Sequence, residues 1–338
     1  MSTLLENVKV LEFQSIGPVP WAVSMLAEMG AEITCVARPG SSLDVKHHPI
    51  FSKNREFVEL DVNVANDRRT IEQLIAKHDV LVEGMRPGVM ERLGLSPQIC
   101  REINPKIVYA RLSGWGRQGP YANKAGHDIN YLSLTGALHA IGKKSEPSVP
   151  LNIIGDYGGG GANLVIGILG GLFKARETGI GMIVDVPMFE GIFKQLAFVF
   201  YNYQKGSWVD ERESNAFDGG TPWYRTYKTQ CGGFMAVGAL EEKFYMYFVE
   251  LLDLDINQLP SRSDRANWNV LANEFSDAFM QKTRNEWCAI FESADACVTP
   301  VLSLSEALEH PHNLSAGIFQ EDKHGNLTIK STPTWSQL

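Results

Sequence analysis

The sequence predicts an α/β fold with a large Rossmann-like domain, built on a mostly parallel sheet, and a smaller α+β domain. In roughly the first third of the chain, short apolar strands alternate with helical patterns, which is typical of parallel strands covered by helices on both faces. A polar stretch of mixed charge at residues 207–220 interrupts this pattern. Beyond it a hairpin is followed by amphipathic helices, which indicates a separate unit.

The elements of the large domain follow in chain order from local patterns. Residues 8–13 alternate as a strand, residues 21–29 form a helix closed by Gly30, and residues 32–36 form the next strand, which completes a βαβ unit. The loop at 14–18 is not a GxGxxG fingerprint, so no dinucleotide is predicted. Further strands are predicted at 55–62, 79–82, 106–112 and 182–186, and further helices at 67–78, 89–93, 156–176 and 189–203.

The small domain is predicted from a turn at Gly232-Gly233, which joins two strand-like segments into a hairpin. Its elements are the hairpin strands 224–229 and 234–238, helices at 242–252, 267–280 and 284–293, and a strand at 296–301. We therefore expect a large domain at 1–206, completed by 315–338, a linker at 207–220 and a small domain at 221–314.

The composition is that of an ordinary globular protein. The 338 residues suffice for two domains, and 44% hydrophobic with 21% charged residues argues against extensive disorder. The net charge of -8 excludes a general basic field for nucleic acid or anionic membranes. No apolar run reaches the roughly 18 residues of a membrane span. The five scattered cysteines favour reduced thiols over a disulfide framework or a zinc site.

The expected compartment is the cytoplasm, because residues 1–13 lack the basic start and long apolar run of a signal peptide. The final tripeptide Ser336-Gln337-Leu338 is a weak match to a peroxisomal Ser-Lys-Leu ending and lacks its basic residue. The peroxisome is therefore the alternative.

Gly126-His127-Asp128 is the main candidate for catalysis. His127 follows a glycine, neighbours a carboxylate and lies between a Gly/Pro/Asn-rich loop and an apolar helix, where catalytic loops are common. With an unperturbed pKa of about 6.5, histidine suits proton transfer at neutral pH. The alternative for a single histidine is a core or capping role.

Asp156, two residues before the glycine run 158–161, is the second candidate. The pattern predicts that it caps a helix, whose dipole would keep the carboxylate ionised as a base requires. Two titratable groups in different environments can remove a proton from one side of a carbon and return it on the other. The glycines allow close approach of a ligand, although helix packing also explains them, and the lysine of a Walker loop is missing.

Arg38, Arg86 and Arg92 follow or flank predicted strand ends in this acidic chain. Ligands bind at the carboxyl ends of strands in α/β sheets, so together these arginines form a candidate phosphate site. For any one of them, a solvated surface role is the alternative. Neither HExxH, a paired cysteine cluster nor GxSxG is present, so neither a metal nor a serine nucleophile is predicted.

Several segments together resemble the family III CoA-transferases and, within that superfamily, the α-methylacyl-CoA racemases. The resemblance covers nearly the whole chain. The segments are Leu11-Glu12, Arg86-Pro87-Gly88, 92–95, 126–131, Asp156, 178–181, 218–224, 234–239 with Glu241, and 295–301.

The resemblance implies the family III fold in an intertwined homodimer, with the active site between subunits and a 2-methylacyl-CoA thioester as substrate. His127 and Asp156 would be the two bases, and Glu241 of the second subunit would orient His127. No metal or organic cofactor is implied, since CoA belongs to the substrate. The implied substrate and CoA contacts are Arg38, Leu60, Asp61, Val62, Asn63, Glu83, Gly84, Met85, Arg92, Gly126, Asp128, Ile129, Asn130 and Tyr131.

Two alternatives stay open. A CoA-transferase of the same fold would use Asp156 as nucleophile, forming a mixed anhydride and then an enzyme–CoA thioester. A non-catalytic acyl-CoA-binding protein would only sequester CoA esters.

Overall fold

The computed structural model describes residues 4–41, 48, 51–52, 54–322 and 325–336. The chain divides into two compact units. Unit 1 comprises Met1–Ala137, Pro150–Phe198 and Gln320–Leu338, and unit 2 comprises Leu138–Val149 and Val199–Phe319. The sequence predicts a large domain that is unbroken from residue 1 to 206 and completed by 315–338. In the structure, segment 138–149 belongs to unit 2, the main part of unit 1 ends at Phe198, and its C-terminal part begins at Gln320.

The strands are β1 (Lys9–Phe13), β2 (Glu32–Ala37), β3 (Arg55–Glu59), β4 (Val80–Glu83), β5 (Val108–Ser113), β6 (Gly142–Lys143), β7 (Glu146–Pro147), β8 (Ile183–Pro187), β9 (Tyr224–Lys228), β10 (Phe234–Gly238), β11 (Val298–Pro300), β12 (Phe319–Glu321) and β13 (Leu327–Ile329). The α-helices are α1 (Pro18–Glu28), α2 (Ala65–Lys77), α3 (Val89–Arg92), α4 (Pro97–Ile103), α5 (Asp128–Thr135), α6 (Ala137–Ala140), α7 (Asn163–Thr178), α8 (Met188–Gln195), α9 (Ala197–Gln204), α10 (Glu242–Leu251), α11 (Trp268–Phe279), α12 (Arg284–Phe291), α13 (Leu304–Glu309) and α14 (Pro311–Ser315). A π-helix occupies Ile153–Ala162, and a 3₁₀ turn occupies Arg265–Asn267.

Unit 1 is organised around a six-stranded parallel sheet in the order β3-β2-β1-β4-β5-β8. This is the Rossmann order, which reverses direction between β1 and β4. All four residues of β4 and the last four of β1 are buried, as expected for central parallel strands. On one face, Leu11 and Leu81 pack with Ile71 and Ile75 of α2. The predicted α/β class and mostly parallel sheet are confirmed.

The glycine run lies in the π-helix, where the sequence predicts the start of an α-helix capped by Asp156. That prediction is wrong, because Asp156 lies inside Ile153–Ala162 and α7 begins only at Asn163. Close packing explains the difference. A Cβ on Gly191 of α8 would stand 2.0 Å from the carbonyl oxygen of Gly159, so the two backbones touch. The wider π turn occurs where this contact forms, and π turns are frequent at functional sites.

Unit 2 contains the predicted hairpin, β9 and β10, paired antiparallel with Phe234 opposite Lys228, and β11 pairs with the other side of β10. Its core is aromatic, with Phe248 of α10, Phe275 of α11 and Trp287 of α12 fully enclosed. The single long helix predicted over 189–203 is interrupted between α8 and α9.

Segment 138–149 belongs to unit 2 because the β6–β7 hairpin is held by side chains of the segment expected to be a linker. Lys143 Nζ lies 2.8 Å from Glu213 Oε1, and Arg212 Nε donates to the carbonyl oxygen of Lys143 at 2.6 Å. No helix in the described part of the chain combines the length and apolar character that a membrane crossing requires. Gln337 and Leu338 of the terminal tripeptide lie outside the described residues.

Candidate active site

A cavity of about 310 Å³ opens in unit 1 at the reversal point of the sheet. The loop after β1 and the loop after β4 both contribute to it, which is where open α/β sheets bind ligands. Its lining includes Ile16, Gly17, Gly84, Met85, Arg86, Trp115, Gly126, His127, Tyr131, Asp156 and Met188.

His127 is the N-cap of α5, in an extended backbone conformation, and is exposed to solvent. Its backbone N–H donates to Asn130 Oδ1 at 3.0 Å. The preceding Gly126 lies against aromatic rings, since a Cβ there would stand 2.8 Å from Trp115 Nε1. Tyr131 donates its hydroxyl to the carbonyl oxygen of Gly126 at 2.6 Å. These contacts fix the backbone from which the imidazole projects.

Asp156 reaches the same cavity from the π-helix. Asn152 Nδ2 donates to its Oδ2 at 3.2 Å, and a Cβ on Gly17 would lie 3.7 Å from the same oxygen. Gly17 has a φ of 68°, a left-handed conformation that favours glycine, so the loop after β1 can turn close to the carboxylate. The carboxyl is half-buried between these groups.

Burial is the main cause that raises the pKa of Asp156 above its usual range, and the nearby charge of Asp128 adds to it. The hydrogen bond from Asn152 and the charge of His127 act in the opposite direction. A carboxyl with a raised pKa is better matched to proton exchange with carbon near neutral pH than an ordinary aspartate. The site thus holds an imidazole and a perturbed carboxyl on one cavity.

Asp128 has a buried side chain, only 7% exposed. Its Oδ2 accepts the backbone N–H of Asp156 at 2.7 Å, and the N–H of Gly155 also stabilises the carboxylate. The side chain is therefore engaged with the π-helix. Only its backbone N–H, in the first turn of α5, is placed to act as a donor.

The expected CoA contacts follow the carboxyl ends of β2 and β3. Arg38 comes directly after β2 and is exposed, and Leu60, Asp61, Val62 and Asn63 come directly after β3. Asp61 accepts hydrogen bonds from the backbone and side-chain amides of Asn63, which lower the pKa of Asp61, and the charge of Arg38 lowers it further. Arg38 thus lies near the 60–63 segment.

Glu83 is buried, and its carboxylate accepts the backbone N–H of Met85 at 2.7 Å. Burial raises the pKa of Glu83 to about 7, against the lowering effects of that hydrogen bond and of Arg111 and Arg117. The side chain therefore shapes the turn of Gly84 and Met85, which line the cavity.

The structure brings seven of the sequence-predicted residues together on the cavity: Gly84, Met85, Arg86, Gly126, His127, Tyr131 and Asp156. The remaining predicted contact residues are not among the described residues that line the cavity. They are Arg38, Leu60, Asp61, Val62, Asn63, Glu83, Arg92, Asp128, Ile129 and Asn130. Glu241 lies in unit 2, where it is exposed and is the N-cap of α10. No cluster of three or more metal-ligand side chains occurs in the part of the chain that the structure describes.

Sequence reasoning missed Asn152 and Trp115. Asn152 lies four residues before Asp156, and that spacing predicts a contact only if the residues between them are helical. The glycine run that follows gives no local signal for a helix beginning before Asp156. Trp115 follows β5 in the loop that the sequence marks as Gly-rich. An aromatic residue after a strand end was the available signal.

The chain matches the sequence pattern of CoA-transferase family III over residues 5–337. It is 41% identical over 320 residues to alpha-methylacyl-CoA racemase of Mus musculus, covering 94% of this chain and 83% of that protein. It is 38% identical over 330 residues to alpha-methylacyl-CoA racemase of Homo sapiens, covering 97% and 86%. A CAIB/BAIF family protein from Brucella suis shares the fold, with a TM-score of 0.83 and 20% identity, covering 99% of this chain and 93% of that one.

The predicted family fold and the predicted resemblance are thus confirmed. Because the family pattern and the two mammalian relatives align over nearly the whole chain, the protein belongs to CoA-transferase family III.

Proposed function

We propose that the protein interconverts the (2R) and (2S) forms of 2-methylacyl-CoA thioesters by transferring a proton at C2. The observation that carries this proposal is that His127 and Asp156, supplied by separate elements, line one cavity at the reversal point of the sheet. The two mammalian relatives are racemases of this kind. The reaction belongs to the metabolism of branched fatty acids and related lipids.

The mechanism uses one base to remove the weakly acidic C2 proton and the other group to return a proton to the opposite face. Asp156, whose pKa burial raises above its usual range, is the second of these two groups. The first turn of α5 leaves the backbone N–H groups of Asp128 and Ile129 without helical acceptors beside His127. They are candidate donors to the enolate oxygen, and losing one such donor typically costs about 2.7–4 kcal/mol.

CoA would lie across the carboxyl ends of β2, β3 and β4. Arg38 and Arg92 are exposed and would bind phosphates, and the partly exposed 60–63 segment lies near Arg38. Glu83 would act through the turn it holds, since its own side chain is buried. Arg86 lines the cavity and joins this set.

A homodimer would supply Glu241 of a second copy to orient His127. Unit 1 exposes large apolar side chains that a partner could cover, including Leu151 at 69%, Ile166 at 66% and Phe173 at 74%. In α9 none of the residues is buried, although most are aromatic or aliphatic. An isolated subunit would leave this apolar surface in water.

The alternative function is CoA transfer to a free carboxylate, with Asp156 as nucleophile. A nucleophile of that kind needs no histidine on the same cavity, and here His127 lines it. Incubating the protein with an acyl-CoA and a free acid separates the two functions, because only a transferase produces a new acyl-CoA. A binding protein would produce neither reaction.

The test is deuterium incorporation at C2 from each enantiomer of a 2-methylacyl-CoA in deuterated water. With either enantiomer as substrate, the wild type should incorporate solvent deuterium at C2 and invert the configuration at that carbon. His127→Ala and Asp156→Ala should both lose inversion while still binding the CoA ester. Inversion at near wild-type rates in either variant would refute the two-base assignment.

A further inference from the structure

We propose that Asp128 is a positioning residue that joins the two proton-transfer elements, acting on Asp156 rather than on its neighbour His127. The inference rests on the proposed function and deepens it. It depends on the contact between the Asp128 carboxylate and the backbone of the π-helix, on the burial of that carboxylate and on the close approach of Gly155 to it.

Asp128 contacts the backbone of Asp156, the proposed second base, directly. Asp128 Oδ2 accepts the backbone N–H of Asp156 at 2.7 Å, with the N–H of Gly155 beside it. The carboxylate side chain thus leaves α5 and ends at the peptide unit that carries the second base. Hydrogen bonds to an ionised acceptor are among the stronger ones in proteins. This hydrogen bond therefore ties α5, which begins next to His127, to the π-helix.

Gly155 of the π-helix packs directly against this carboxylate. A Cβ on Gly155 would lie 2.5 Å from Asp128 Oδ2, so only glycine permits the approach. The other oxygen, Oδ1, is buried and accepts no hydrogen bond from the described residues. The carboxylate is held from the π-helix side alone. A truncated side chain at position 128 cannot make this hydrogen bond between α5 and the π-helix.

The charge of Asp128 acts on the same partner. It raises the pKa of Asp156, in addition to the larger effect of burial. The other groups that interact with Asp156 are Asn152, His127 and Tyr131, and the loop before α1 contributes the uncharged Gly17. Asp128 is thus the anionic neighbour among them. An Asp128→Asn change removes this charge while its side-chain oxygen can still accept the N–H of Asp156.

The experiment measures C2 proton exchange separately for each enantiomer in deuterated water. In a two-base site each base exchanges the proton of one enantiomer, so Asp156→Asn identifies the enantiomer that Asp156 deprotonates. Asp128→Ala should slow exchange of that enantiomer by roughly ten- to hundred-fold, because small misplacements of a reacting group have effects of this size. Exchange of the other enantiomer should change far less.

Asp128→Asn should exchange the enantiomer that Asp156 deprotonates at a rate close to that of the wild type. The acidic limb of its pH–rate profile should move to lower pH, because Asp156 loses an anionic neighbour and its pKa falls. Ser133→Ala, an exposed position on α5, is the matched control and should leave both enantiomers unchanged. Equal loss for both enantiomers in Asp128→Ala, or no loss, would overturn the proposal. So would a failure of Asp128→Asn to recover exchange above the level of Asp128→Ala.

Amide hydrogen exchange gives a second readout that does not require turnover. In Asp128→Ala the amides of Gly155 and Asp156 should lose protection, while those of α7 keep theirs. Unchanged protection at 155–156 would overturn the proposal by itself. A wild type that exchanges neither enantiomer would refute the proposed function instead, and the amide measurement would still decide the role of Asp128.

Discussion

The carboxylate of Glu12 and the guanidinium of Arg55 form a fully buried ion pair in the sheet of unit 1. Arg55 Nε lies 2.7 Å from Glu12 Oε2, and both side chains are 0% exposed. Arg55 Nη2 also donates to the carbonyl oxygen of Pro20 in α1 at 2.6 Å. The pair therefore joins β1, β3 and the first turn of α1, next to the loop whose Gly17 faces Asp156.

Removing one member of this pair should strongly destabilise the protein. Arg55→Met leaves the buried Glu12 carboxyl without its counter-ion, and breaking a buried pair in this way costs about 3–5 kcal/mol. The free energy of unfolding from urea titration measures the loss. Lys174→Met is the matched control, because the Lys174–Glu177 pair is 52% and 59% exposed. Such an exposed pair contributes less than about 1 kcal/mol. Equal losses in the two variants would contradict the role given to Arg55.

The contact between Gly191 and Gly159 should not tolerate a methyl group. Gly191→Ala would place a Cβ 2.0 Å from the carbonyl oxygen of Gly159, and backbone has to move to relieve it. We expect a loss of about 1–3 kcal/mol, the usual cost of overpacking, together with slower C2 proton exchange because the π-helix carries Asp156.

Glu190→Ala on the same helix is the control for the Gly191 substitution. Glu190 is exposed, so its replacement should change the free energy of unfolding by less than about 0.5 kcal/mol. Urea titration and isotope exchange on both variants check these expectations. Wild-type stability and exchange in Gly191→Ala would show that the two backbones do not need their close contact.

Glu83 should make stability fall as pH rises. Burial raises its pKa in the folded protein to about 7, from 4.5 for the exposed side chain, so between these values the folded state binds the extra proton. Its contribution is fully favourable below about pH 4.5 and is lost as pH rises through 7. Glu83→Gln removes this titration, and its amide oxygen can still accept the N–H of Met85.

The comparison is therefore the free energy of unfolding of wild type and Glu83→Gln at pH 5 and pH 8. The variant should gain relative to the wild type at pH 8 by on the order of 3 kcal/mol, since one pKa unit corresponds to about 1.4 kcal/mol. A difference between wild type and variant that does not change with pH would mean that Glu83 titrates normally in the folded protein.

The parts of the fold that the sequence predicted are those with local signals. The strands β1 and β4 are short and mostly apolar, and the candidate bases stand beside glycines, so the sheet and the loops of the site could be predicted from neighbouring residues. The π-helix could not, because it depends on Gly159 meeting Gly191 from a later helix. The conformational preferences of four consecutive glycines do not predict a contact with a residue about thirty positions later.

The contact made by Asp128 and the assignment of segment 138–149 to unit 2 could not be predicted either, because both depend on residues that are distant in sequence. Asp128 stands next to His127 in sequence, which suggests a pair, but its carboxylate ends on the backbone of Asp156, 28 residues away. The 138–149 hairpin is fixed by Arg212 and Glu213, which the sequence marked only as a charged linker. Charge pattern shows that ion pairs are available and does not show which segments they join.

The proposed role of Glu241 predicts recovery of activity between two inactive variants. If Glu241 of one subunit orients His127 of the other, then His127→Ala and Glu241→Ala subunits complement each other. Their mixed dimer contains one site with an intact His127 and an intact Glu241, and a second site that lacks both. With random pairing, half of the dimers are mixed, so about one quarter of all sites should be intact.

Co-expression of the two variants with different affinity tags allows the mixed dimer to be purified and assayed for inversion at C2. Activity near half of the wild-type value per dimer would support a site completed by the second subunit, because one of its two sites is intact. The matched control is the pair His127→Ala and Asp156→Ala. Both of those residues lie in unit 1 and line the same cavity, so each site of their mixed dimer lacks one base and should stay inactive. An inactive mixed dimer of His127→Ala with Glu241→Ala would place Glu241 on the His127 of its own chain, or remove it from the site.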